Sequence, residues 1–449
     1  MRNACKVLSL AFLVVTRSMA QPPPVPEMQI PMFLDHLVFA GADSTSWVVT
    51  LNYRIDREFF VPVRNADSSA AGAYRRIGEV LVELADSTGS SVERKIDRID
   101  IPEDSPLQPA GERHWVQGSA TFRVASGTYR IFLEATDRDS QRRQVNRETV
   151  ARTPDKRKGA VDVTAAAFVE PLTPGATDTL LLENFGGDLF FGKNRSLLVG
   201  VATRGDTSET ASCRWSLTVI ERKDETGKVL AQDSLVQVHL IRHRQIVFQA
   251  TTEGVRCLLV PDSSAGAIAI IPLSTALLPL RNYSLHLDLT TAKGTSAVYT
   301  RPFRNVWPEM PFSLKNVDGA LEALRFITTE RQLDSLRSGT FEQRRDALEA
   351  FWSARNRSQG TARNDVMTEY YRRVDHAIRD YGTLRIPDGS RSDRGKIFIL
   401  YGAPTRTERS LNPSGAHSET WYYDRLKKKF VFVDEAKTGA YTLVATAPL

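Results

Sequence analysis

From residue 32 to about 153, apolar and polar side chains alternate with a period of two. Trp47-Val-Val-Thr-Leu-Asn-Tyr53, Gly78-Glu-Val-Leu-Val-Glu-Leu84 and Tyr129-Arg-Ile-Phe-Leu-Glu-Ala135 are examples. Successive side chains of a strand point to opposite faces, so this alternation predicts strands with one buried face. Turn-forming segments separate the runs: Asp86-Ser-Thr-Gly89, Ala125-Ser-Gly127 and Asp137-Arg-Asp-Ser140. Short strands at this spacing predict an antiparallel β-sandwich over 32–153. A charged stretch, Thr153-Pro-Asp-Lys-Arg-Lys-Gly159, then reads as a linker. Alternation resumes at Val161 in Ser196–Ala202, Trp215–Ile220, Gln245–Gln249 and Tyr283–Leu289, predicting a second sandwich over 160–305. The two regions echo each other. Tyr129 and Tyr283 each open an alternating strand that is followed by a turn and one last strand. That is the order of the final strands of an immunoglobulin-like sandwich, where a tyrosine anchors the corner.

After Arg304-Asn-Val-Trp-Pro308 the period changes. Val317, Leu321 and Leu324 fall at helical spacing. Thr340-Phe-Glu-Gln343 is a capping box opening a second helix through Leu348, Phe351 and Trp352. Asp365–Tyr381 predicts a third, with Val366, Tyr370, Val374 and Ile378 on one stripe and Gly382 as its stop. Lys396–Tyr401, Thr420–Tyr423, Phe430–Val433 and Tyr441–Val444 then read as strands. The predicted fold is multidomain and mostly β. Two tandem immunoglobulin-like sandwiches precede an α+β domain over 315–449, built from three helices and a small antiparallel sheet.

The N-terminus reads as an export signal over 1–20. Arg2 and Lys6 precede a short apolar run, Val7–Val15, and Ser18-Met-Ala20 places small residues for cleavage before Gln21. Cys5 lies ahead of the apolar run, so no lipidation signal follows from it. A Pro-rich lead-in, 21–31, connects to the first strand. These features predict an exported protein, periplasmic or secreted to the cell surface. The net charge is +6, with 59 basic residues of which 14 are lysines. They are scattered rather than blocked, so the reading is a solvated surface and not a nucleic-acid site. No stretch is long enough for a transmembrane helix.

Cys213 and Cys257 remain after cleavage. In an exported protein such a pair suggests a disulfide; two separately buried thiols are the alternative. His239 and His243 sit in an alternating run. There, positions four apart lie ~13 Å from each other, which does not suit a shared metal. No metal and no cofactor are predicted. Lys427-Lys-Lys429 reads as a solvated hairpin turn. Gly186-Gly187 lacks the spacing of a phosphate loop.

The C-terminal third carries an ordered series of landmarks. Phe351-Trp352 comes first, then Glu369-Tyr-Tyr371 with Arg373-Val374, then Gly389-Ser-Arg-Ser-Asp-Arg-Gly395. Tyr401-Gly402 with Pro404, Glu419 with Trp421 and Tyr423, and Phe430 with Phe432 follow. Over about residues 315–445 this series resembles the GWxTD domain, a family of exported bacterial proteins with no established biochemical function. Here Ser390 stands in place of the family's tryptophan and Ser392 in place of its threonine. Gly389, Gly395, Gly402, Pro404, Trp352 and Arg373 are the structural landmarks of the match.

Asp393, Arg394, Tyr401, Glu419, Trp421 and Tyr423 are the candidate partner-binding residues. Arg394 carries a rigid fork of donors suited to a carboxylate, with Glu419 or Asp393 as partner. Asp393 can accept backbone N–H bonds at a turn, and Gly395 can adopt angles that other residues resist. Two arrangements fit these residues. One is an open groove for a ligand; the other is a buried ion pair and aromatic layer joining helices to sheet. The expected function is a non-catalytic envelope module that binds another envelope protein, with a glycan as a further candidate ligand. The rival is a hydrolase of peptide or glycan using Asp393 and Glu419 as a carboxylate pair, which requires both to face an open cleft.

Overall fold

The computed structural model describes residues 31–449 apart from 42–45, 66–71, 107–113, 154–160, 173–178, 184, 204, 221–228, 263–265, 359 and 412–414. The export signal, the lead-in up to residue 30 and the charged linker therefore lie outside the described residues.

The chain is mostly β, as its alternation predicts. In the first region a three-stranded sheet (Met32–Ala40, Ser46–Asp56, Trp115–Ala125) faces a five-stranded one. The second sheet contains Val63–Arg64, Tyr74–Ala85, Ser91–Glu103, Gly127–Asp137 and Arg143–Thr153. Trp47, Val49, Leu51, Tyr53 and Ile55 point inward from one sheet and Val80, Val82, Leu84, Ile131 and Leu133 from the other, forming one core. In the second region a seven-stranded sheet packs on a five-stranded sheet through Leu197, Val199, Ile271, Trp215, Leu217, Leu285 and Leu287.

The tyrosine echo has a geometric counterpart. Tyr129 Oη donates to the Ala125 carbonyl at 3.0 Å, and Tyr283 Oη donates to the Pro279 carbonyl at 2.9 Å. Each hydroxyl reaches back four residues and ties a corner to its strand.

The alternation predicted strands with one solvated face, but the Ser46–Asp56 strand is buried on both. Thr50, Asn52, Arg54 and Asp56, on its outer side, are also buried. A third apolar layer explains this. Leu37 and Phe39 of the first region pack on Ala165, Ala167, Val169, Leu180, Leu182 and Phe248, on the outer face of the seven-stranded sheet. The four sheets are thus stacked in series.

Polar contacts fix the junction. Arg301 Nη2 meets Asp35 Oδ1 at 2.8 Å, and the Arg54 guanidinium lies 3.7 Å from the centre of the Phe185 ring. The Gly186-Gly187 pair is part of this junction. Gly187 has φ +78°, and a Cβ there would fall 1.8 Å from Arg301 Nη2. The positive φ favours glycine, and a side chain there would push the Arg301 guanidinium off Asp35.

Among the described residues the helical region contains five α-helices rather than three: α1 (Val317–Ala323), α2 (Glu330–Arg337), α3 (Phe341–Ser353), α4 (Asp365–Asp380) and α5 (Asp393–Tyr401). Thr340 and Gln343 form the expected capping box, and Thr329 with Gln332 form a second one that opens α2. On α4 the buried face comprises Tyr370, Tyr371, Val374 and Ala377, while Val366 and Ile378 are exposed. The stripe is therefore rotated from the expected one.

The larger correction is α5. The run Lys-Ile-Phe-Ile-Leu-Tyr at 396–401 is helical, although its apolar, partly β-branched composition suggested a strand. A short continuous apolar run has no period to separate the two states. The ends decide it: Ser392 caps the N-terminus and Gly402, at φ +79°, ends the helix. A four-stranded antiparallel sheet follows in sequential order: Arg406–Ser410, His417–Tyr423, Lys428–Asp434, Thr442–Pro448. Of the predicted turn Lys427-Lys-Lys429, only Lys427, at φ +50° and exposed, lies in the turn; Lys428 and Lys429 already pair within the strand Lys428–Asp434. Phe191 stacks on Trp307 at 5.5 Å and joins the helical core to the second pair of sheets. Among the described residues no helix is long and apolar enough to cross a membrane.

Candidate partner-binding site in the C-terminal module

The signature segment folds into a turn that launches α5. Asp388 Oδ1 accepts from the Ser390 backbone N–H at 3.0 Å and from its hydroxyl at 2.6 Å. Ser392 is the N-cap: its Oγ accepts from Gly395 N at 3.0 Å and donates to the Gly389 carbonyl at 2.7 Å. Serine and threonine cap comparably, so Ser392 preserves the role that the family's threonine can fill. Gly395 serves by its lack of a side chain and not by an unusual angle, because it is helical. A Cβ there would lie 2.0 Å from the Gly389 carbonyl oxygen, and one on Gly389 would lie 2.2 Å from that of Ala377. Turn, α4 and α5 approach each other backbone to backbone. Asp393 does not cap. Its Oδ2 accepts from Leu443 N at 2.7 Å, tying α5 to the last strand.

Arg394, one residue on, meets the sheet. Its Nη1 lies 3.1 Å from Glu419 Oε2 and its Nη2 donates to the Gly439 carbonyl at 3.0 Å. The guanidinium sits over Tyr441 at 4.3 Å and Tyr381 at 5.3 Å from the ring centres. Burial, opposed by Arg394, pushes the Tyr381 hydroxyl up to about 12. Gly439 is held in place by Asp434, which accepts from Thr438 N and Gly439 N. Glu419 is only 2% exposed. Besides Arg394 it accepts from Trp421 Nε1 at 2.8 Å and Arg409 Nη2 at 3.3 Å.

Trp421 is buried against Tyr381 and Phe432. Tyr423, also buried, donates to the Gly402 carbonyl at 2.8 Å. Tyr401 is the exposed member at 39%, lying on Phe430. Arg373 pairs with Glu369 at 2.7 Å, and its guanidinium lies beneath Gly402, where a Cβ would come within 3.2 Å. Pro404 sits in the turn that leads into the sheet. Trp352 is buried in the helical core and donates to Tyr371 Oη at 3.3 Å.

The structure thus brings together the candidate residues but closes all of them except Tyr401. Of the two arrangements open in the sequence, these contacts form the ion pair and aromatic layer. The open groove is replaced by a joint, because Glu419, Trp421 and Tyr423 are buried between α5 and the sheet. The carboxylate-pair hydrolase loses its requirement: Glu419 is sealed against two arginines and an indole, and Asp393 is bonded to backbone.

Cys213 and Cys257 are both unbridged and buried. Cys213 points into the core between the second pair of sheets, and Cys257 into the layer between the two sandwich regions. They sit on different sheets facing different layers, which the linear spacing could not reveal. Burial pushes the Cys213 thiol up to about 11 and also raises that of Cys257. Among the described residues no three His, Cys, Asp or Glu side chains are placed to hold a metal ion.

One cluster escaped the sequence reading. Arg325, Arg337 and Arg391 surround Glu322 beside the signature turn. Glu322 and Arg325 are an i,i+3 pair, but Arg337 comes from α2 and Arg391 from the turn before α5, so no local spacing announces the cluster as a whole.

Residues 282–446 match the family model of the GWxTD domain. The C-terminal part of this chain is therefore a GWxTD domain, a domain of unknown function. The match begins earlier than the expected 315 and takes in the strands Asn282–Thr291 and Ser296–Val306. Among curated proteins no match is found. A solved structure of a purple acid phosphatase from yellow lupin (Lupinus luteus) seeds is 11% identical. The alignment covers 61% of this chain and 41% of that chain, and its TM-score of 0.17 carries no structural argument.

Proposed function

We propose that this chain is an exported envelope protein in which two immunoglobulin-like sandwiches, over 32–153 and 160–305, form a spacer. The GWxTD module presents a binding surface to another envelope protein and performs no chemistry of its own. The observation that carries this reading is the closure of the signature residues. Asp393, Arg394, Glu419, Trp421 and Tyr423 direct their polar atoms to one another and to backbone. Such a motif builds a rigid body, and a rigid body offers a partner its surface. The two tyrosine corners support the immunoglobulin-like assignment. The apolar layer between the sandwich regions supports a stiff spacer, since burial on both faces leaves little freedom at the junction. Export rests on the apolar run and small residues before Gln21.

The test is affinity capture of the tagged protein from its own cell envelope after mild cross-linking, with linked peptides identified by mass spectrometry. A reproducible partner linked within 315–449 is expected. Recovery of the protein alone, or links confined to the sandwich regions, overturns the reading.

A further inference from the structure

Three guanidinium groups converge on one carboxylate beside the signature turn. Glu322 Oε1 lies 3.1 Å from Arg325 Nη1 and 3.5 Å from Arg391 Nη2, and its Oε2 contacts Arg337. Arg391 also pairs with Asp388 at 3.2 Å, and Arg325 donates to Ser390 Oγ at 3.1 Å. Three cations thus share two carboxylates, and one positive charge is unmatched. Burial, and after it the neighbouring Arg391, push the Arg325 pKa down, opposed by Asp388. The outer members are open to solvent, with side-chain exposures of 60% for Arg391 and 37% for Arg337. Arg325 lies over the Phe326 ring at 4.5 Å, and Ile327 is exposed next to it, giving the cluster an apolar border.

We infer that this cluster is the docking point for an acidic segment of the partner protein. Asp or Glu side chains of that segment take the outward guanidinium edges of Arg337 and Arg391. The planar fork of arginine matches a carboxylate, and charge-assisted bonds of this kind are about twice as strong as neutral ones. Glu322 shows the fit: a carboxylate already occupies the point where the three forks meet. An acidic segment joins or displaces it. The inference rests on the partner-binding reading and gives that partner its chemistry.

The test is calorimetric titration of the full chain with a hexaglutamate peptide at low ionic strength. Binding is expected, weakened about tenfold or more in R337E/R391E. Glu322→Gln removes the internal competitor and is expected to tighten binding about threefold or more. Glu349→Gln, on the exposed side of α3, is the control and should leave it unchanged. Should the double variant not fold, Arg391→Glu alone is expected to weaken binding about threefold.

No binding by the unaltered chain, indifference to the arginine changes, or an equal gain from Glu349→Gln overturns the proposal. Binding of inorganic phosphate or phosphatidylglycerol vesicles in place of the peptide, with the same arginine dependence, also overturns it. The capture experiment separates the two failures. A partner linked within 315–449 in the R337E/R391E variant leaves partner binding standing and removes this docking point.

Discussion

Arg394→Ala is the most informative single change. It removes the ion pair with Glu419 at 3.1 Å, the bond to the Gly439 carbonyl at 3.0 Å and the guanidinium stacked on Tyr441. Glu419 stays buried, with Arg409 and the Trp421 indole as its remaining partners. Breaking one side of a buried pair costs ~3–5 kcal/mol because the other charge is left in a poor solvent. Two remaining donors soften that penalty, so the low end, about 3 kcal/mol, applies. For a region of this size about 3 kcal/mol lowers the midpoint by roughly 6–12 °C. Calorimetry of the full chain should show the helical and C-terminal sheet transition moving by that amount. The R394A/E419A double variant should lose less than the two single variants together, by ~0.5–3 kcal/mol, because the first change strands the charge that the second removes. A loss below about 1 kcal/mol, or strict additivity, refutes the sealed joint and reopens the groove.

Three further outcomes follow from the same contacts. Ser392→Ala should cost about 1 kcal/mol by removing the N-cap of α5, while Ser392→Thr should be near neutral in denaturant melts. A reducing agent should leave the melting temperature unchanged, because Cys213 and Cys257 are separate thiols, and thiol reagents should reach both only after unfolding. Asp206 gives an acid dependence. Its burial opposes ionisation, but bonds from Ser208 N and Thr291 Oγ1, both at 2.8 Å, hold its pKa down at about 2. A depressed carboxyl stabilises the fold above its unfolded value of about 4 and loses that contribution as pH falls toward 2. Asp206→Asn should flatten stability between those limits; an unchanged acid profile would contradict the assignment.

Much of the fold was legible because its signals are local. Period-two runs such as Trp47–Tyr53 need only the pleat of a strand to be read, and capping boxes such as Thr340–Gln343 need only one helical turn. The tyrosine corners at Tyr129 and Tyr283 were legible for the same reason, since hydroxyl and carbonyl lie four residues apart. Misreadings came where the local signal was silent or divided. Ile397–Leu400 carries no period, so its helix was set by Ser392 and Gly402 at its ends. Val366 and Ile378 match a helical stripe, but α4 turns Tyr371 and Ala377 to the core, because the neighbours of a face choose which side is buried.

The sequence by itself determined a strand-rich chain with tyrosine-anchored corners, a helical segment and a GWxTD signature, each a property of residues within a few positions of one another. Only the tertiary structure decided that Glu419 is sealed, that the cysteines face different layers, that four sheets stack so that Asn52 and Arg54 are buried, and that Arg337 and Arg391 join Arg325 at Glu322. Those outcomes depend on pairings between residues tens to hundreds of positions apart. The free energy of such pairings lies in burial and charge neutralisation after the chain has closed, so no local pattern along the sequence records it.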